Sequence, residues 1–466
     1  MGQQDPQKEL FSYQIDLDRR VRMDNPLRQV AAVIDFTFAR QEVAHTYGIK
    51  GNVSIDPAVI LKLMFLLFYD NVASERQLMR ILAERLDYLW FLGYGLDQEI
   101  PDHSVLSKAR ARWGNEVFEQ LFVRTISACV AAGLVSGNKI HMDGSLIAAN
   151  AARDSVVKTS PELVAALKIV YREQAAKLEE PSGSGGPVNQ THLSTTDPEA
   201  ELAAKKGQAS RPSYKEHRAV DNAHGVITAQ KLTGGAVSED TQMMDLVEQH
   251  ESNTLCAVQT VVADSQYGTV KNFLACQDRG LAAHLADLNT SQQQGGQRTK
   301  FFEQRQFIYD PQRDIYHCPA GQALKRWQHR PEKGGWQYKA SAHVCAQCAL
   351  RQQCTDSKHG RRVQRLKRQS ELDWLRAQSA SPVARQDRRR RRHLMEGSFA
   401  DATNRHGFKR ARWRGLWRQR VQGHLIAACQ NIRILLRHGD PSRRGFAAIR
   451  VSFWFCPPKS RPSCPS

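Results

Sequence analysis

Three acidic residues stand where chain context lets a carboxylate do chemistry. Asp143 ends a β-prone run that begins at Asn138, and Gly144 and Ser145 break that run. Asp264 closes the apolar run Val261-Val262-Ala263 and leads into Ser265-Gln266-Tyr267-Gly268. Glu396 lies in the segment Arg392 to Phe399, directly after an arginine cluster. Singly, each has a plainer use: a turn residue, a strand-end cap, a partner of Arg392 one helical turn earlier. Together they are the hard oxygen donors that suit Mg²⁺ or Mn²⁺. Two such ions about 3.5–4 Å apart activate a water and stabilise the leaving oxygen of a phosphodiester. The expectation is one two-metal site, built from Asp143, Asp264 and Glu396, that cuts DNA.

A second constellation is Cys318, Cys345, Cys348 and Cys354. Cys345 and Cys348 form a CxxC pair, and the other two complete a tetrahedral donor set for a structural Zn²⁺. His317, His343 and His359 are substitute ligands nearby, and reduced, unligated thiols are the plain alternative. Cys129, Cys256, Cys276 and Cys429 fall in apolar patterns and read as core.

The charge points to a polyanion. Lys plus Arg is 66 against 47 Asp plus Glu, a net +19 over 466 residues. A nucleic acid or an acidic membrane surface fits that surplus. Arg388 to Arg392 is an unbroken arginine run. With Lys409, Arg410 and Arg412 it makes the densest basic region, interleaved by Trp413 and Trp417. A solvated face is the usual reading of such a run. Beside a metal site, contact with DNA phosphate is the better one, with salt-dependent binding. No stretch has the length and apolarity of a membrane span, and no signal peptide is legible at the start. An intracellular, reducing compartment follows as the default.

The elements that must position these residues fall in order. Residues 1–135 read as helical, with Asp56-Pro57 and Ser74-Glu75-Arg76-Gln77 as helix starts. Pro26 to Tyr47 carries helical spacing. A later helix bears Lys108, Arg110 and Arg112, so this part fits either a helix-turn-helix-like DNA binder or a plain helical bundle with a solvated basic face. From 136 to 289 the pattern is strand 139–143, helix 161–180, a flexible loop 181–187, and a hairpin around Asn222 to Gly225. It continues with helix 241–250, strand 257–264, helix 270–279 and strand 281–288. This is an α/β pattern with a mixed sheet. A polar linker at 292–297 opens the cysteine-bearing insertion, 290–385. Helices then resume at 386–437, around Glu396 and from Trp413 to Leu436. The segment 438–466 carries Pro441, Pro457, Pro458, Pro462 and Pro465 and reads as a disordered tail.

The ordered set of motifs resembles the DDE-type transposases of bacterial insertion sequences. It comprises Ile55-Asp56-Pro57, Ser74 to Leu78 and Pro101-Asp102-His103-Ser104, then His141 to Ser145 and Tyr214 to Gly225. Ala263 to Gly268 follows, and last Glu396-Gly397-Ser398-Phe399 through Gly407, Arg412 and Gly415-Leu416 to Asn431. The resemblance covers roughly residues 10–437. It implies an all-α N-terminal DNA-binding domain and a ribonuclease-H-like α/β domain interrupted by the insertion. It also implies Asp143, Asp264 and Glu396 as the metal-binding catalytic triad, with Mg²⁺ or Mn²⁺. Arg392 stands four residues before Glu396, where the resembling enzymes often keep an arginine near the DNA phosphate. A lysine that many relatives carry seven residues after the glutamate is Thr403 here, and Lys409 and Arg410 are candidates to replace it.

The implied reaction is cleavage at the element's ends, followed by attack of the freed 3′-hydroxyl on target DNA. Its partners are duplex DNA, as terminal inverted repeats and as target, and a second copy of the chain in the DNA complex. Its place is the bacterial cytoplasm, at the nucleoid. Two rival readings carry weight: a decayed copy that binds ends without cutting, and a metal-dependent nuclease that cuts without joining.

Overall fold

The computed structural model describes residues 16–48, 54–174, 187–204, 207–287 and 301–439. The end of the expected helix at 175–180, the loop at 181–186, the linker at 292–297 and the tail beyond 439 lie outside them. The chain divides into two compact units. Residues 1–135 and 424–466 make one, and residues 136–423 the other.

The first unit is built around an apolar helix. Its longer helices are α1 (Pro26–Val33), α2 (Pro57–Tyr69), α3 (Glu75–Leu82), α4 (Leu86–Leu92), α5 (Ser104–Trp113) and α6 (Glu116–Ala131). Asp56 caps α2 by accepting from the Ala58 N–H at 2.9 Å, and Pro57 takes the first-turn position. Nearly every side chain of α2 is buried, as an all-round apolar helix requires. Ser74 caps α3 through the Gln77 N–H. The helical spacing from Pro26 does not carry through to Tyr47. The chain leaves α1 at Ile34, and the Asp35 carboxylate takes the N–H and hydroxyl of Thr37, a local turn that competes with the helix.

The second unit holds a six-stranded sheet in the order β4-β5-β1-β7-β8, with β6 also on β5. These strands are β1 (Lys139–Ala148), β4 (Glu201–Ala203), β5 (Arg211–Asp221), β6 (Ile227–Gly234), β7 (Thr260–Ala263) and β8 (Ala282–Leu285). β2 (Val156–Lys158) and β3 (His192–Ser194) form a separate small pair. β5 and β6 run antiparallel to their neighbours, whereas β1, β7 and β8 run parallel. Its longer helices are α7 (Pro161–Gln174), α8 (Met243–Thr254), α9 (Val270–Asp278), α10 (Gln369–Ser379) and α11 (Pro382–His406), and α12 (Leu416–His438) begins here and continues into the first unit from His424. A mixed sheet covered by helices is the α/β layout that the sequence pattern predicts, and it agrees with the ribonuclease-H-like fold that the resemblance implies.

β1 runs five residues past Asp143. Gly144 and Ser145 do not break it, because β5 pairs with it continuously from Ile140↔Asp221 to Ala148↔Ser213. The side chains of β1 alternate. Ile140 and Met142 enter the core with Val261, Phe273 and Leu246. Lys139 and Asp143 reach α11, where they meet Asp387 and Arg391.

The insertion is a five-stranded antiparallel sheet of its own, ordered β13-β12-β11-β10-β9. Its strands are β9 (Ile308–Asp310), β10 (Ile315–His317), β11 (Ala323–Arg330), β12 (Gly335–Ala340) and β13 (Arg362–Leu366). A small core of Phe307, Tyr316, Leu324, Tyr338 and Val363 lies on one face, joined by Cys354.

Candidate metal centre

Parallel pairing brings two of the carboxylates together. β1 and β7 pair with His141 opposite Val262. Two residues further along the same register, Asp143 stands beside Asp264, just past the end of β7. The third member is Glu239, in the single helical turn that precedes α8. One carboxylate oxygen from each of Asp143, Glu239 and Asp264 lies within 4.8 Å of the other two. Among the described residues no other trio of His, Cys, Asp or Glu is so disposed.

The surroundings leave this cluster short of positive charge. Burial raises the Asp143 carboxyl, the Arg391 guanidinium at 3.0 Å opposes that rise, and Asp264 adds to it. Glu239 is pushed up to about 7, chiefly by burial. Lys215 opposes this at 3.7 Å, while Asp264 and Asp143 reinforce it. Like charges crowded in a half-dry site cannot all ionise without a cation among them. The Tyr267 side chain is fully buried, feels all three carboxylates, and its hydroxyl has no hydrogen-bond partner. Three hard oxygen donors at ligating spacing, with an orphaned hydroxyl beside them, fit a divalent ion of the Mg²⁺ or Mn²⁺ kind.

The structure does not bring Glu396 to this cluster. α11 is held in phase by Asp387 on Lys139, by Arg391 on Asp143 and by Ser398, whose hydroxyl accepts from Arg218 at 2.8 Å. Glu396 follows Arg391 by five residues, about 140° around the helix at 3.6 residues per turn, and is exposed. Of its motif, Ser398 and Phe399 do the anchoring. Both meet Arg218, which forms a fully buried ion pair with Glu216 at 2.6 Å.

The basic candidates separate as well. Arg392 and Arg410 are exposed, and Arg412 is half-buried. Arg388 donates to the Ser379 carbonyl, Arg390 to that of Asn222 and Arg391 to that of Met142, so much of the arginine run is tied inward. Lys409 donates to the Ser145 hydroxyl and lies over the Phe408 ring at 5.2 Å. Lys108 is exposed, and Arg112, also exposed, stacks on Tyr47 at 4.7 Å. Arg110 is a correction. It is 4% exposed and paired with Glu75, so it joins α5 to α3 rather than facing DNA. Cys318, Cys345, Cys348 and Cys354 line a single cavity beside the insertion core, although no three of their sulfurs stand as close as the acidic trio.

Glu239 was not singled out from the sequence. An acidic pair, Glu239-Asp240, at a helix start reads as a partner for the helix dipole. A weak signal exists in Gly144, whose missing side chain leaves room for a neighbour.

Residues 15–112 match the family described as transposase domain (DUF772), and residues 317–436 match the transposase DDE domain. Both matched families are transposase domains, and together they support a DDE-type transposase with an N-terminal domain. The second match contains Glu396, whereas Asp143, Glu239 and Asp264 precede it. No curated protein and no solved structure matches the chain. A transposase DDE domain implies DNA binding and divalent-metal use, and the acidic trio is a group that could hold such an ion. Among the described residues, no helix is long and apolar enough to cross a membrane.

Proposed function

We propose that this transposase cuts DNA at the ends of its mobile element and joins each freed 3′-hydroxyl to target DNA, using one metal centre for both steps. The convergence of Asp143, Asp264 and Glu239 within 4.8 Å carries the reading. In the first step, water oxygen bonds to phosphorus and the 3′ oxygen leaves with a proton. In the second, that 3′ oxygen gives up its proton and bonds to a target phosphorus, and the target strand's own 3′ oxygen leaves with a proton. When bound, two divalent ions activate the attacking oxygen and stabilise the leaving one.

The chain's own residues supply position and charge. Asp143 and Asp264 are fixed side by side by strand pairing, and Glu239 closes the donor set. Arg391 balances Asp143 and stands ready to shift toward DNA phosphate when a metal takes over that charge. Glu396 enters as the third carboxylate on family resemblance. Its exposed position favours a second reading, a copy that binds ends without cutting.

Parallel variants separate these readings. DNA carrying the flanking repeats is incubated with Mg²⁺ or Mn²⁺ and the wild type, Asp264→Asn, Glu239→Gln or Glu396→Gln. Metal-dependent cutting by the wild type, lost in Asp264→Asn, supports the active enzyme, and the glutamate whose loss abolishes cutting is the third ligand. Binding without cutting by the wild type would sink the catalytic reading. A strand-transfer assay on the cut product distinguishes a transposase from a nuclease that only cuts, and a mass measurement of the DNA complex tests for the dimer.

The four insertion cysteines extend the proposal to a structural Zn²⁺. Thiolate donors from a CxxC pair and two further positions line one cavity. The insertion core they flank is small, the setting in which a metal adds stability that apolar burial cannot.

A further inference from the structure

The insertion sheet has two faces of opposite character. One carries the apolar core, and the cations on that side are held by an acid or by an aromatic ring. Arg326 pairs with Asp314 at 3.2 Å and stacks on Trp336, and Arg365 stacks on Tyr309 at 3.6 Å. The other face is different. β11, β12 and β13 contain no Asp or Glu. Strand register sets Lys325 directly opposite Lys339, and Lys339 directly opposite Arg362. Three cations therefore form one row across three neighbouring strands, and among the described residues none of them has an ion-pair partner. The next position on that face is Trp327, at the β-bulge of β11 and 46% exposed. Lys339 lies over its ring at 4.9 Å and Arg362 at 4.6 Å.

Such a row is costly in isolation, because like charges directly opposite on a sheet destabilise it. An aromatic platform rimmed by unpaired cations is the pattern that phosphate and base recognition use. Adjacent strands are about 4.8 Å apart, so the row spans roughly 10 Å. A DNA strand presents one phosphate per roughly 3.4 Å of axis, so the row covers about three phosphate steps, enough for each long cationic side chain to reach its own phosphate.

We infer that the outer face of the insertion sheet is a DNA-binding surface, with Lys325, Lys339 and Arg362 on consecutive phosphates and Trp327 packed against the strand they hold. The inference rests on the chain being a transposase, and it names a contact surface on the insertion, apart from both the acidic site and the N-terminal helices.

The test uses the full-length protein and a fluorescein-labelled, mixed-sequence DNA duplex in metal-free buffer, with affinity measured across a salt series. The triple variant Lys325→Gln, Lys339→Gln, Arg362→Gln should flatten the plot of log affinity against log salt by roughly 2.7, about 0.9 per lost phosphate contact. Its melting temperature should hold or rise, since the substitutions relieve repulsion, whereas a purely structural role would lower it. Trp327→Ala should weaken binding several-fold with the slope kept. An unchanged slope in the triple variant, with wild-type binding intact, overturns the surface and leaves the transposase reading standing. A wild type without salt-dependent binding overturns both.

Discussion

The carboxylate of Glu239 lies where a side chain on Gly144 would be. A Cβ built on Gly144 falls 2.6 Å from Glu239 Cδ and 2.8 Å from its Oε1. The glycine of the Asp143-Gly144 pair thus serves close approach, letting a third carboxylate reach the strand that carries the first. The atoms it would strike are the free end of a flexible side chain, so the fold has room to respond. Gly144→Ala is therefore expected to fold and melt within a few degrees of wild type while displacing Glu239. Divalent-ion affinity, measured by calorimetry, should fall about tenfold, the equivalent of roughly 1.4 kcal/mol. A variant with wild-type affinity would remove Glu239 from the donor set.

Proton and metal compete for Glu239. Its carboxyl sits near 7, mostly through burial. Below that value a divalent ion must displace a proton, so affinity should fall as pH drops from 8 to 6 and level off above about 7. The sign for stability without metal is the reverse. The folded pKa lies above the ordinary 4.5, so the folded state binds the proton more tightly. Stability from this group is present at low pH and is lost as pH rises through about 7. Calorimetric titrations with Mg²⁺ and metal-free melts at both pH values check this, and Glu239→Gln should flatten both dependences.

Much of the site was legible. Asp143 and Asp264 stand out in the sequence beside apolar runs, and parallel pairing of β1 with β7 places them together, although β1 continues past Asp143. Glu239 was hidden because it acts from a turn and depends on a gap left by Gly144, a relation that only the register of β1 reveals. Gly144 and Ser145 looked like strand breakers because propensity is local, while continuous pairing with β5 is tertiary. The phase of α11 was not readable either. Five consecutive arginines mask any apolar stripe, and three polar contacts, from Asp387, Arg391 and Ser398, set which face turns inward. Arg110 looked like a DNA contact for the same reason: nothing in its neighbourhood announces Glu75.

The Arg218–Glu216 pair is the anchor on which that phase depends. Both side chains are fully buried, and Arg218 also holds the Ser398 hydroxyl and lies over Phe399 at 4.7 Å. Removing one charge strands the other in a dry interior. Arg218→Met should destabilise the protein by about 3–5 kcal/mol, and Glu216→Gln together with Arg218→Met should recover part of that loss. Chemical denaturation of the three proteins measures it. Ser398→Ala leaves the ion pair in place but loosens α11. It is expected to reduce DNA cleavage more than stability, and an equal loss of both would make Ser398 a packing residue only.

The insertion cysteines give the last expectation. Burial raises the Cys354 thiol, Arg361 opposes that, and the thiols of Cys345, Cys318 and Cys348 reinforce it. Four thiolates that repel one another would gain from a cation of soft preference, and Zn²⁺ is the one their number suits. Protein purified without chelator should carry one Zn²⁺ per chain by elemental analysis, and Cys345→Ser with Cys348→Ser should carry none. Because the insertion sheet has its own small core, stripping the metal should lower the melting temperature of the sheet while Mg²⁺ binding at Asp143 and Asp264 survives. Metal-free wild type with an unchanged melt would leave the four as reduced thiols flanking Leu324 and Tyr338.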